Sequence, residues 1–167
     1  MPEASLAQHH LLPEMKLVSV GQGPTGAMEF VVAMTSGVEV CPRCATWSRS
    51  VYDRRWAAIK DEPIRGRAVR LVIHKRRFWC RPCARPFTEP VGGIIKGKRT
   101  TERYARAVQQ ACEEYVDLKT VRTRFRCSGG YLYSVLYRHL ELKLRMRRQD
   151  WPERVGLDEH FFKRGKG

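Results

Sequence analysis

Alternating apolar and polar residues mark several segments in the first half of the chain, which is the period of a half-buried β-strand. The clearest segment is residues 67–79, in which one set of alternate positions is aliphatic and the other is more polar. Two shorter runs of β-forming residues, 16–20 and 28–34, flank a glycine-rich segment and predict a hairpin. Residues 47–56 mix basic and aromatic side chains. Together these patterns predict a β-rich domain over residues 15–95.

A helical period replaces the strand period further along the chain. Apolar residues recur every three or four positions in a first helix that Thr100 or Thr101 can cap, and in two more helices that Asp117 and Ser128 can cap. The second and third helices have the apolar spacing of a helix-turn-helix unit, whose second helix enters the major groove of DNA. The pattern predicts a helix-turn-helix domain over residues 96–150. A plain helical hairpin is the alternative.

Four cysteines form two Cys-x-x-Cys pairs, and each pair follows a strand-like segment. The pairs are Cys41 with Cys44 and Cys80 with Cys83, and they can offer four thiolates at the corners of the tetrahedron that zinc favours in structural sites. Disulfides or buried thiols are the alternative. We expect residues 1–14 to form a flexible tail. They lack the basic leader of a signal peptide, so we expect a cytoplasmic protein whose thiols are reduced. The sequence therefore predicts one structural zinc on these four cysteines.

Three consecutive cations, Lys75, Arg76 and Arg77, lie just before the second cysteine pair. Two interpretations are open. The cations can contact phosphates, or they can offset the net negative charge of a zinc ion with four thiolates.

The charge of the chain indicates its partner. A formal net charge of +15 and a pI near 10.1 favour a polyanion. No apolar run approaches the roughly 20 residues of a membrane-spanning helix, so we expect no membrane partner and favour double-stranded DNA. In the predicted helix-turn-helix the early third helix faces DNA, and arginines of the second helix and the turn lie near phosphates. The candidate DNA-binding residues are Arg122, Arg124, Arg126, Ser128, Gly129, Gly130, Tyr131, Tyr133, Ser134 and Arg138.

Two of these residues depart from an ideal helix-turn-helix. Arg122 stands where a small residue would ease the crossing of the two helices. Arg126 stands where a glycine would tolerate a left-handed backbone.

The order of these pieces resembles the ISL-three family of bacterial insertion-sequence transposases. In that family a zinc-binding domain and a helix-turn-helix precede a ribonuclease-H-like catalytic domain with an Asp, Asp, Glu triad. The resemblance therefore implies an α+β chain with a zinc domain, a helix-turn-helix domain and the first strand of a ribonuclease-H-like domain. The matching stretches are Cys41-Pro-Arg-Cys44, Arg76-Arg-Phe-Trp-Cys80-Arg-Pro-Cys83, Phe87-Thr-Glu-Pro90, the helix-turn-helix region and Val155-Gly-Leu-Asp158-Glu-His-Phe161.

By this resemblance, Asp158 is the first Asp of the triad and residues 151–167 are a stub of the catalytic domain. Such carboxylates hold two divalent ions about 4 Å apart, which activate the attacking hydroxyl and stabilise the leaving oxygen. Magnesium is therefore expected only in a full-length enzyme. Because the other two triad members are absent from this sequence, we expect a chain that is incomplete for strand cleavage and transfer.

The resemblance implies the DNA-binding N-terminal portion of a transposase, one that recognises the terminal inverted repeats of its insertion sequence and can form a homodimer. The alternative is a stand-alone transcriptional regulator built from the same zinc and helix-turn-helix units. A basic zinc protein of the ribosome also explains the charge and the cysteines, but it does not explain the helix-turn-helix spacing.

Overall fold

The computed structural model of the chain describes residues 11–12, 14–23, 25–115 and 117–147. Strands precede helices, so the predicted α+β class is confirmed. The strands are β1 (Met15–Gln22), β2 (Met28–Met34), β3 (Glu39–Val40), β4 (Trp47–Ser48), β5 (Val51–Ile64), β6 (Arg67–Cys80) and β7 (Arg85–Thr88). The helices are α1 (Glu102–Glu114), α2 (Leu118–Phe125) and α3 (Gly129–Met146). The predicted stub over residues 151–167, with Asp158, lies outside the described residues, as do residues 1–10 of the predicted tail.

The main sheet has five strands. Four of them follow the order β1-β2-β6-β5, and β7 pairs with β6 outside that order. The predicted hairpin of β1 and β2 is antiparallel, β2 and β6 are parallel, and β5 and β6 form a long antiparallel hairpin. Gly66, with a φ of 76°, supplies the positive backbone angle that this tight turn requires. Strands β3 and β4 form a separate two-stranded sheet.

The core of the main sheet follows the alternation read from the sequence. Val69, Leu71 and Ile73 on β6 are 0–2% exposed. Leu12 also packs into this core, and a Cβ on Gly93 would lie 2.9 Å from its Cδ2 atom. The prediction of a loose tail is therefore corrected at Leu12, because burying its apolar side chain stabilises the sheet. The buried members are Leu12, Met15, Phe30, Val32, Ile59, Val69, Leu71, Ile73 and Val91.

Strand β5 is longer than its sequence indicates. It begins at Val51, inside the mixed basic and aromatic stretch, and continues through the Asp-Glu-Pro stretch at residues 61–63, although such a stretch is typical of a turn. The pairing register with β6 shifts between Asp61 and Ile64. This irregularity accommodates Pro63, which has no backbone N–H to donate to a regular ladder.

The three helices begin at residues that the sequence predicts as caps. The side chains of Thr101, Asp117 and Ser128 each accept a hydrogen bond from a backbone N–H in the first turn of the helix that follows. This arrangement satisfies donors that have no partner inside a helix. The helices share a core of Tyr104, Val108, Ala111, Val121, Phe125 and Leu132. None of the helices in the described ranges is long and apolar enough to cross a membrane.

The helices join the sheet at the free edge of β5. The backbone N–H of Lys60 donates to the Arg99 carbonyl at 2.9 Å, and the Thr101 N–H donates to the Lys60 carbonyl at 3.0 Å. Next to this pairing, the buried carboxylate of Asp61 accepts hydrogen bonds from the Thr101 hydroxyl at 2.7 Å and from Nε of Arg103 at 2.6 Å. Backbone pairing and a buried ion pair thus fix the start of α1 on the sheet.

Candidate metal centre and nucleic-acid interface

The two cysteine pairs come together at one end of β6. The sulfurs of Cys41, Cys44, Cys80 and Cys83, here called the cysteine cluster, all lie within 4.8 Å of one another. The Sγ–Sγ distance is 4.0 Å between Cys41 and Cys83 and 3.4 Å between Cys44 and Cys80. A tetrahedral zinc with Zn–S bonds of about 2.3 Å requires sulfurs about 3.8 Å apart. The four donors therefore fit a closed structural zinc site.

Each cysteine pair lies in a turn at the tip of a hairpin. The first turn connects β3 to β4 and the second connects β6 to β7. In the first turn, the N–H of Ala45 donates to the Cys41 carbonyl at 2.9 Å. In both turns an alanine follows the second cysteine with a positive φ, 56° at Ala45 and 47° at Ala84. The left-handed alanines reverse the chain directly behind each pair of sulfurs.

The two hairpins are also joined by hydrogen bonds to the backbone of Trp79. The buried Ser48 hydroxyl donates to the Trp79 carbonyl at 2.7 Å, and the Trp79 N–H donates to the Ser50 carbonyl at 2.8 Å. Since Trp79 directly precedes Cys80, these bonds hold the second cysteine pair against the first.

The thiols of the cysteine cluster differ in acidity. Hydrogen bonds with the Thr46 hydroxyl and backbone lower the pKa of Cys44 to about 6, because they stabilise its thiolate. The neighbouring sulfurs of Cys44 and Cys80 raise the pKa of Cys83 to about 12, because they disfavour a further negative charge beside them. A divalent cation at the centre of the cluster would offset this repulsion between thiolates.

Replacing Ala84 with glycine is expected to stabilise the protein by about 1 kcal/mol, because glycine adopts a left-handed conformation without the steric cost of a Cβ atom. Urea denaturation of the zinc-loaded protein measures the change. The matched control is Ala58→Gly in the regular part of β5, where glycine is expected to destabilise the protein by roughly 0.5–1 kcal/mol. A loss of stability in both variants would contradict the assigned turn geometry.

The cations before the second cysteine pair are largely engaged by carboxylates. The guanidinium group of Arg76 donates to the fully buried Glu89 carboxylate from Nε at 2.9 Å and from an NH2 group at 2.7 Å. Nε of Arg77 lies 3.3 Å from Asp53. The charge of Arg76 is therefore matched within the protein by the buried Glu89 carboxylate.

Most of the predicted DNA-binding residues lie on the surface of α2, α3 and their connecting turn. Those that are exposed are Arg122, Arg124, Arg126, Ser128, Gly130, Tyr133, Ser134 and Arg138. Gly129 is half-buried. The prediction that Tyr131 lies on this surface is corrected. Its ring centroid is 5.8 Å from that of Tyr104, and its hydroxyl is buried in the helical core.

Two of the exposed arginines have partners within the protein. The Arg124 guanidinium donates to the Tyr115 hydroxyl and lies over the Tyr115 ring, 5.3 Å from its centroid. Arg126 donates to the Thr25 carbonyl at 2.8 Å, which ties the α2–α3 turn to the β1–β2 loop. Arg122 lies beside the start of α3, since a Cβ on Gly129 would be 3.9 Å from its guanidinium carbon.

The turn between α2 and α3 has the left-handed backbone expected at Arg126, with φ 48° and ψ 44°. The N–H of Arg126 donates to the Thr123 carbonyl and the N–H of Cys127 donates to the Arg122 carbonyl. This is the pair of hydrogen bonds of a Schellman motif, which satisfies the last carbonyls of a helix. The turn is therefore well defined although an arginine occupies the usual glycine position.

An open cleft of about 600 Å³ lies beside the cysteine cluster, and the sequence did not predict it. Its lining includes Trp47, Arg49, Trp79 and Arg81. A sequence signal for it exists, because one tryptophan follows the first cysteine pair by three residues and the other directly precedes the second pair.

Two hairpins that bring four cysteines together at their tips define a zinc-ribbon protein. A family model described as the zinc-finger of transposase IS204/IS1001/IS1096/IS1165 matches residues 37–83, which include both cysteine pairs. The chain is also similar to the transposase for insertion sequence element IS1001 of Bordetella parapertussis, at 26% identity over 148 residues. No solved structure matches the chain. The chain is thus related to the ISL-three family of insertion-sequence transposases, and the resemblance drawn from its sequence is confirmed.

The match to the Bordetella transposase covers 86% of this chain and 35% of that protein. The chain therefore spans about a third of the length of the relative. The similarity extends well beyond the zinc ribbon, since the matched family model ends at residue 83.

Proposed function

We propose that this chain is the DNA-binding N-terminal portion of an insertion-sequence transposase and that it recognises the ends of its element. The observation that carries the proposal is the similarity to a transposase over 86% of the chain, together with exposed arginines on α2 and α3. A formal net charge of +15 favours a polyanionic partner such as double-stranded DNA.

In this proposal α2 and α3 form a helix-turn-helix, and α3 lies in the major groove with its first turns against base edges. Its N-terminus carries Gly129 and Gly130, whose small size allows close approach to the DNA backbone. Tyr133 and Ser134 on the next turn reach toward the bases, whereas Arg122 and Arg138 contact phosphates. Contacts of this kind position the protein more than they read sequence.

The cysteine cluster supports a structural role for zinc, with one ion per chain. The two hairpins of the zinc ribbon are joined by the hydrogen bonds of Ser48 and Ser50 with Trp79, and an ion held by cysteines of both hairpins adds a further constraint. Because the four thiolates complete a tetrahedron, no coordination position remains for a substrate.

Cleavage and joining of strands are proposed for the whole transposase and not for the described residues. By resemblance, Asp158 supplies the first carboxylate of a magnesium site whose other members this sequence does not contain. The proposed targets are terminal inverted repeats. Because such repeats are related by two-fold symmetry, a homodimer would place one chain on each end.

The DNA surface is tested by the salt dependence of binding to a terminal-repeat duplex. Arg122→Ala and Arg138→Ala are each expected to reduce the slope of log affinity against log salt by about 1, because each removes one phosphate contact. These two positions are preferred to Arg124 and Arg126, whose guanidinium groups have partners in the protein. Binding is measured by fluorescence anisotropy between about 50 and 200 mM salt.

The matched control is Lys16→Ala, an exposed cation near the start of β1, at the sheet edge opposite the one that α1 joins. Its salt slope is expected to equal that of the unchanged protein. A scrambled duplex separates specific from non-specific binding. Equal slopes for all variants, or equal affinity for the two duplexes, would contradict end recognition by α2 and α3.

A further inference from the structure

The cleft beside the cysteine cluster exposes aromatic side chains that the protein core does not use. Trp47 is 70% exposed on β4, and Trp79 lines the same cleft from β6. Tyr52, 56% exposed, stacks on Trp79 with ring centroids 5.7 Å apart. A concentration of exposed large aromatic rings at one place on a surface marks an interaction site.

The charged residues around this cleft are cationic. Arg49 and Arg81 line it, both are exposed, and no carboxylate lies among the described residues that line it. The guanidinium group of Arg77 lies over the Tyr52 ring, 5.2 Å from its centroid, and is paired with Asp53, so Arg49 and Arg81 supply the positive charge of the cleft. Arginines beside exposed aromatic rings match phosphates and bases better than an apolar protein surface.

The cleft is held in shape before any ligand binds. The backbone of Trp79 is fixed by hydrogen bonds from Ser48 and to Ser50, and the adjacent Cys80 belongs to the cysteine cluster. Trp47 lies in the strand that follows the first cysteine pair. A preformed cleft loses little conformational freedom on binding, which favours affinity.

We propose that this cleft binds unpaired nucleotides of DNA, with Trp47 and Trp79 stacking on bases and Arg49 and Arg81 contacting the flanking phosphates. Bases inside a duplex present only their edges, so exposed tryptophan faces select nucleotides that are not stacked in a duplex. The volume of about 600 Å³ lies within the range of about 300–1,000 Å³ typical of ligand sites. The proposal deepens the proposed function, because the same DNA would contact α2 and α3.

The test compares two duplexes of identical sequence, one blunt and one carrying a five-nucleotide single-stranded thymine tail. The unchanged, zinc-loaded chain is expected to bind the tailed duplex about 10-fold or more tightly than the blunt one, since each base that stacks on a tryptophan adds to the affinity. Free oligothymidine is expected to quench tryptophan fluorescence. Trp47→Ala is expected to abolish the preference for the tail and to leave binding of the blunt duplex unchanged.

Trp56→Ala is the matched control, because Trp56 is 62% exposed but stacks on His74 and does not line the cleft. It is expected to keep the preference, and Trp47→Phe is expected to keep most of it. Zinc content and circular dichroism of each variant report its folding. The proposal is overturned if the unchanged chain binds both duplexes with equal affinity, or if Trp47→Ala still prefers the tailed duplex. It is also overturned if Trp47→Ala changes only the self-association of the chain. Failure of blunt-duplex binding alone would count against the helix-turn-helix proposal and leave this one standing.

Discussion

Replacing Cys80 with serine is expected to reduce the zinc content from one ion per chain to nearly none and to unfold the zinc ribbon. Cys80 is 1% exposed and its sulfur lies 3.4 Å from that of Cys44, so the substitution removes one of the four sulfur ligands from a buried corner of the tetrahedron. Structural zinc contributes about 10 kcal/mol or more to the folding of small zinc domains. Strands β3 and β4 have two residues each and cannot bury enough surface to persist alone.

Metal analysis of the purified protein measures the zinc content, and hydrogen exchange localises the loss of structure to β3, β4 and β7. The five-stranded sheet has its own buried core around Leu71, so its central strands are expected to keep more protection than the ribbon. The matched control is Cys112→Ser, a half-buried cysteine on α1 outside the cluster, which is expected to keep one zinc. A fully folded Cys80→Ser protein with one bound zinc would contradict the assigned site.

The cysteine pairs and β6 could be predicted from the sequence because both signals are local. Zinc chemistry requires two closely spaced thiols in a turn, and a half-buried strand requires a two-residue alternation, which Val69, Leu71 and Ile73 provide. Strand β5 could not be delimited in the same way. Its length of 14 residues depends on its pairing with β6, and its own alternation is weak where it carries basic and aromatic side chains.

The caps of the helices were predictable for a similar reason. The side chains of Thr101, Asp117 and Ser128 contact backbone groups only two or three residues away. The surroundings of Arg126 and Tyr131 depend on residues far along the chain. Arg126 donates to Thr25 and Tyr131 packs on Tyr104, and no local pattern in the sequence specifies those partners.

Asp61 is the clearest residue whose importance the sequence did not indicate. An Asp-Glu-Pro stretch is typical of a turn, and the strand irregularity at Pro63 explains why β5 continues through it. In the folded chain the Asp61 side chain is 2% exposed and faces the start of α1. A buried carboxylate is tolerated only when it is paired and hydrogen-bonded, and Thr101 and Arg103 fulfil this requirement.

Replacing Asp61 with alanine is expected to destabilise the protein by about 3 kcal/mol, because it leaves the half-buried Arg103 guanidinium without its carboxylate and the Thr101 hydroxyl without its acceptor. The loss is expected to loosen α1 from the sheet while the zinc content stays at one ion per chain. The stability of Asp61→Asn is expected to lie between that of the unchanged protein and that of Asp61→Ala, since its amide oxygen still accepts a hydrogen bond from Thr101. Urea denaturation followed by far-UV circular dichroism measures the change.

The matched control is Glu62→Ala, because Glu62 is the exposed neighbour of Asp61 and its removal is expected to change stability by less than about 0.5 kcal/mol. A double-mutant cycle with Arg103→Ala isolates the pair. Because each single change leaves a charged group without its partner, the double variant is expected to lose less stability than the sum of the two single variants. Equal stability of Asp61→Ala and Glu62→Ala would show that the Asp61 side chain does not stabilise the junction. Additive losses in the double variant would show that Asp61 and Arg103 do not act as a pair.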